Sequence, residues 1–217
     1  MPLKLDGKFH IGASHIIGSY ILPGEIIDSI QEKVDSKIKI TIAPYNNIVK
    51  AIKEDKLDLA FVEFALPDDE LTHKVWMEDE LTLCSKMKLS NSLTREDLSR
   101  HRLVSREEGS LNYRYIENFL KEQNINYSDF DSISEVSNPT AIIQSIKWSR
   151  PNIPVTALAF VSRVAIEYEL KYNELYTTTI NNTPIFKKFY LLYKKDSPLI
   201  DVIKNICNEL KVEYTKR

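Results

Sequence analysis

The chain has 217 residues, 43% of them hydrophobic, enough apolar material for one compact unit or for two lobes of about 100 residues each. Its 29 Lys and Arg stand against 31 Asp and Glu, a formal charge of −2. That balance, with the lysines scattered, excludes a chain that grips nucleic acid by itself, because neutralising phosphates takes a concentrated basic surface.

Strand and helix signals alternate along the chain. Phe9 to Ala13 reads as a first strand, Ser14 to Ser19 as a turn, and a helix follows from about Ile21, with Leu22, Ile26, Ile30 and Val34 four apart on one face and Pro23 in its first turn. Ile38, Ile40 and Ile42 alternate with Lys37, Lys39 and Thr41, the period of a strand with one wet face. Asn46 or Asn47 can cap the next helix, which carries Ile48, Val49 and Ile52. Leu57 to Val62 is a nearly continuous apolar run, as a buried parallel strand requires, and Glu80 to Ser85 is a further strand. This βαβαβ order predicts a doubly wound α/β sheet.

The second part repeats the theme. Arg102 to Val104 is a short strand, and Ser110 opens a helix that buries Leu111, Tyr115, Phe119 and Leu120. Ile133 to Val136 is a strand, after which Asn138-Pro139 supplies a cap and a first-turn proline for a helix with Ile142 and Ile146. Ala157 to Val161 is a strand, and Ser162 caps a helix with Val164, Ile166 and Leu170. Phe186 to Tyr193 is a long strand, and Ser197-Pro198 starts a terminal helix with Leu199, Ile203, Ile206 and Leu210. No Gly/Ser-rich linker separates the parts, so the chain is expected to cross between two lobes on strands and leave a cleft between them.

Several segments, in order, resemble the effector-binding domain of LysR-type transcriptional regulators. Ile11 to Pro23 resembles that family's first strand, turn and helix, and Leu57-Asp58-Leu59-Ala60-Phe61-Val62-Glu63 its "LDLA-x-VE" strand. Trp76 to Leu81 matches "W-x-x-DEL", and Arg106-Glu107-Glu108-Gly109-Ser110 matches "RE-x-GS", continued by Tyr113-Arg114 to Glu117. Ala159 to Arg163 resembles the late strand and cap, and Phe186 to Tyr193 the return strand. The likeness runs from about Lys8 to Lys195 and implies a periplasmic-binding-protein-like (type 2) fold, two Rossmann-like lobes joined by a two-strand hinge. Residues 1–84 with 189–217 would form lobe I and 85–188 lobe II. The family's "G-x-GIA" is replaced by Trp148 to Ala159 with prolines at 151 and 154, so the loop on that side of the cleft is expected to differ in shape.

Helix starts that follow strands present unpaired N–H groups, and converging N-termini favour an anion. The expected effector contacts are Ser14, His15, Asn46, Asn47, Glu63, Arg106, Ser110, Leu111, Arg114, Asn138 and Ser162. The family correspondence carries Ser14, Asn46, Ser110 and Ser162. Arg114 could grip an anion bidentately. Glu63 could join Arg106 in a cross-lobe ion pair or orient an amine, while Arg106 and Glu107 could equally form a surface pair of little energy. The resemblance further implies a homodimer or tetramer, with Ile38 to Ile42 and the helix Pro23 to Val34 as its surface, and DNA contact only through an N-terminal helix-turn-helix outside this chain.

Cys84 and Cys207 lie in apolar runs and read as reduced core thiols, and His10, His15, His73 and His101 have no ligand spacing, so no metal or cofactor is expected. Trp76 and Trp148 read as core or hinge packing. Lys187-Lys188 and Lys194-Lys195 read as solvated strand faces. The first residues lack a signal-peptide pattern, and no run reaches the roughly 20 apolar residues of a membrane span, so a cytoplasmic protein is expected. A transporter's solute-binding protein would share the fold but would carry such a signal. An enzyme on the same fold, prephenate-dehydratase-like or deaminase-like, would need catalytic motifs that are missing here: no GxSxG, no phosphate loop and no paired Cys and His.

Overall fold

A computed structural model describes residues 7–151 and 154–213. In chain order the elements are β1 (Lys8–Ala13), α1 (Glu25–Gln31), β2 (Lys37–Ile42), α2 (Tyr45–Lys53), β3 (Leu59–Val62), β4 (Leu71–Ser85), β5 (Ser92–Leu93), α3 (Arg95–Leu98), β6 (His101–Ser105), α4 (Leu111–Glu122), β7 (Ser132–Glu135), α5 (Pro139–Lys147), β8 (Thr156–Ser162), α6 (Glu167–Lys171), β9 (Tyr176–Ile180), β10 (Phe186–Lys194) and α7 (Ile200–Glu213). The chain divides into two compact units. The first runs to Asp79 and resumes at Lys187; the second is Glu80–Phe186.

In the first unit β1 pairs in parallel with β2 on one side and β3 on the other, and β10 joins β3 antiparallel. Parallel neighbours need crossover helices, and α1 and α2 supply them. Their buried faces come from Ile26 and Ile30 in α1 and Ile48 and Ile52 in α2. Gly12 allows α2 to sit close to the sheet: a Cβ there would lie 2.6 Å from Leu57 Cδ1, 3.2 Å from Ala60 Cβ and 3.3 Å from Ile48 Cγ2. Phe61 of β3 and Trp76 of β4 meet edge to face at 4.8 Å.

Three local readings need correction. The segment after β1 is not a turn: His15 and Ile16 begin a helix that widens into a π-turn over Ile17–Ile21, closed by Leu22 N–H to Ile17 C=O at 2.9 Å. Pro23 therefore falls in the break before α1, which starts after Gly24 at φ 95°. The isoleucines of β2 do not form a buried face either. β2 is an edge strand, and Ile40 and Ile42 are 39% and 42% exposed.

The second unit has the order β4–β8–β6–β7, with β8 and β7 parallel to β6 and β4 antiparallel to β8. β9 extends from β4, and β5 pairs with β9. Its core gathers Leu83, Leu103, Phe119, Leu120, Leu158 and Phe160. β5, α3 and β9 escape sequence periodicity because they are too short to show a period. Ser162 is followed by a 3-10 turn, Arg163–Ile166, and then by the short α6, rather than by one longer helix.

Both cysteines are free and buried, as expected of core thiols. Trp148 departs from its expected packing role. It ends α5 at 77% exposure, its Nε1 donating to Gln144 Oε1 at 3.0 Å. The expected loop change around Pro151 to Pro154 falls partly on residues 152–153, outside the described residues.

Candidate functional site

Open α/β sheets place ligands at the carboxyl ends of their strands, so the candidate groups lie there in each unit. In the first unit β1 ends at Ala13, and Ser14 follows it. Its N–H donates to Phe61 C=O at 3.0 Å, and its C=O accepts from Gly18 N–H at 2.8 Å. Ser14 is 7% exposed, and its Oγ is buried with no hydrogen-bond partner among the described residues. Native proteins satisfy most such groups, so an orphan at a strand's carboxyl end points to a partner from outside the chain. His15, next along, is half-buried.

Beyond β2, Pro44 in extended conformation precedes α2. Asn46 and Asn47 are therefore exposed first-turn residues, not caps. The proline has no hydrogen-bonding side chain, and its carbonyl accepts from the Asn47 and Ile48 N–H groups at 3.0 and 3.1 Å. Tyr45, overlooked in the sequence, is better placed: its hydroxyl accepts from Leu66 N–H at 3.2 Å and lies 3.2 Å from His73 Nε2. It ties the start of α2 to the segment that follows β3. Burial raises the Tyr45 pKa and lowers that of His73, which favours a neutral pair.

Glu63 follows β3 and is 5% exposed. Lys187 Nζ donates to Glu63 Oε2 at 2.7 Å, and both partners belong to the first unit. Lys187 is 6% exposed, so it is no solvated strand residue. The signal was present in the sequence: positions 187, 189, 191 and 193 alternate with their neighbours, and all four are buried. That alternation puts Lys187 on the buried face.

In the second unit Arg106 Nε and Nη2 donate to Glu107 at 2.8 and 2.7 Å. This is the local pair that the sequence allowed, and it holds the Glu107 carboxyl below the usual range. Gly109, at φ 85°, turns the chain into Ser110. Ser110 Oγ accepts from Tyr113 N–H at 3.2 Å and caps α4, so Leu111 is its first helical residue and Arg114 lies exposed in its first turn. Asn138 Oδ1 accepts from Thr140 and Ala141 N–H at 2.8 and 3.3 Å, with Pro139 opening α5. An open hollow there is lined by Asn138, Thr140, Ala141, Gln144 and Ser145. Ser162 ends β8 at 2% exposure and makes no side-chain cap. Tyr113 stacks on Tyr127 with centroids 4.5 Å apart, steadying the start of α4.

Two α/β units, one built from two separate stretches of chain and the other inserted between them, with helix starts and small polar residues at their strand ends, define the class: a periplasmic-binding-protein-like two-lobe fold. Among solved structures, the regulatory domain of CcmR from Synechocystis PCC6803 in complex with 2-PG superposes with a TM-score of 0.76, covering 97% of this chain and 98% of that one at 14% identity. The model of the LysR substrate binding domain matches residues 4–213, and the chain belongs to that family. A probable RuBisCO transcriptional regulator of Thalassiosira pseudonana is 28% identical over 213 residues, 94% of this chain and 67% of that protein. The HTH-type transcriptional regulator CysL of Bacillus subtilis is 24% identical over 205 residues, 93% of this chain and 64% of that protein. The chain thus spans about two thirds of the length of these relatives.

Proposed function

We propose that this LysR substrate binding domain is the effector sensor of a cytoplasmic transcriptional regulator, and that it binds a small anionic metabolite at the carboxyl ends of its strands. The observation that carries the reading is the buried, partnerless hydroxyl of Ser14 beside a helix start. Ser110, Asn138 and Ser162 are the corresponding small polar groups of the second unit, and His15, Asn46, Asn47, Leu111 and Arg114 are neighbouring candidates. The CcmR regulatory domain, a structural relative, forms a complex with 2-PG, which supports a small-molecule ligand here.

The effector acts by unequal affinity for two arrangements of the regulator, which changes how DNA-binding heads outside this chain engage their promoter. A sensor is favoured over an enzyme. The family matched over nearly the whole chain is the LysR substrate binding domain, and the relatives of similar sequence are transcriptional regulators. Among the described residues no helix is long and apolar enough to cross a membrane. The exposed edge of β2, with Ile40 and Ile42, is offered as a homodimer surface. Exposed apolar edge strands tend to pair, and the lysines at 37 and 39 blunt this one against unspecific partners. Light scattering should show a dimer; a strict monomer at high concentration rejects that surface.

Calorimetry with small anions tests the sensor reading. The expected result is saturable binding of an acid that Ser14→Ala weakens. Binding of a neutral or cationic ligand with no anion bound would overturn it.

A further inference from the structure

A charge pair lies buried where the fold does not require one. Glu63 and Lys187 meet at 2.7 Å with side chains 3% and 5% exposed, and Lys187 Nζ stands 5.2 Å from the centroid of the Phe189 ring. Taking two charges out of water generally stabilises a fold less than apolar groups in the same space would, so such a pair points to a role other than stability. Its position suggests which role. The β1–β3 register sets Ala13 beside Phe61, so Ser14 and Glu63 leave adjacent strands at the same carboxyl edge. That carboxyl edge of the first unit thus carries three buried polar side chains: a hydroxyl with unused hydrogen-bonding capacity, and a carboxylate paired with an ammonium that has three protons, one of which goes to Glu63.

We infer that Lys187 is the cation that fixes the acid group of the effector, and that Glu63 holds its place in the unliganded domain. This inference rests on reading that edge as the effector site. The incoming acid and Glu63 compete for one ammonium, while Ser14 Oγ donates the neighbouring hydrogen bond. The site therefore favours an acid strong enough to stay fully ionised and compact enough to reach a buried amine, such as a sulfate, a phosphate or a short carboxylate. Glu63 sets the threshold an anion must exceed.

The competition predicts effects of opposite sign. In calorimetric titrations with sulfate, inorganic phosphate and glycolate, Glu63→Gln should bind the preferred anion at least about threefold more tightly than the natural domain. Lys187→Met should bind it about tenfold or more weakly, the loss expected of a charge-assisted hydrogen bond. Lys187→Met alone strands a buried carboxylate and could fail to fold. The double variant Glu63→Gln/Lys187→Met leaves no buried charge; it should keep the natural melting temperature and still fail to bind. Equal losses in the two single variants, or full affinity in the double variant, would make the pair internal scaffolding and overturn the inference. The effector reading would survive that outcome if the natural domain binds an anion and Ser14→Ala weakens it. If the natural domain binds none of the three anions, both fall together.

Discussion

Ser14→Ala separates a ligand-binding hydroxyl from a structural one. A hydroxyl buried without a partner costs about 1–3 kcal/mol, and alanine removes that cost while opening a void of only one oxygen. The first unit of the unliganded variant should therefore gain about 1 kcal/mol, or about 2–4 °C in melting temperature for a chain of this size. With anion bound the sign reverses. A lost hydrogen bond worth about 1 kcal/mol raises Kd about fivefold, and the stabilisation given by a fixed anion concentration shrinks accordingly. The two tryptophans make this measurable, because Trp76 is buried in the first unit and Trp148 is exposed in the second. In a Trp148→Phe background, urea unfolding followed by fluorescence reports the first unit alone. A loss of about 1 kcal/mol or more in the unliganded variant would refute the reasoning, since it would mean that the hydroxyl caps the helix that begins at His15.

Asn138→Ala should cost the second unit about 1 kcal/mol by freeing two N–H groups at the start of α5, read through Trp148 at the other end of that helix in urea unfolding. Neither cysteine should react with iodoacetamide at pH 8 in the folded domain, because burial pushes Cys84 up to about 12 and Cys207 up to about 11; mass spectrometry should find both alkylated only after denaturation. Burial also holds His73 and His101 below the usual imidazole range. The unfolded chain therefore takes up those protons first, and stability should fall as pH drops from about 6.5 towards the folded-state values. His101→Gln should flatten that slope in chemical denaturation at pH 7 and pH 5.5.

The fold was legible where periodicity runs long enough to measure. The helices with Ile48 and Ile52 or with Ile142 and Ile146, and the apolar run ending at Val62, lie where the alternation placed them. Reading failed where tertiary context outweighs pattern. The alternation in β2 is clear, yet its position at the sheet edge leaves those isoleucines exposed. Pro23 fits a first helical turn as well as the break between two helices, and only the π-turn before it decides. Within the candidate site, side-chain types pointed to Ser110 and Asn138 because caps are local. Glu63 and Lys187 are 124 residues apart, and no local signal joins them. The partnerless state of Ser14 is a property of its neighbours and could not be read from the residue itself.

The most direct test of the account is to follow backbone amide resonances of the isotopically labelled domain while titrating sulfate, phosphate and glycolate. The account predicts saturable shifts concentrated at Ser14, Asn46 and Glu63 in the first unit, and at Ser110 and Asn138 in the second. Shifts confined to residues away from these strand ends, or none with any anion, would contradict it.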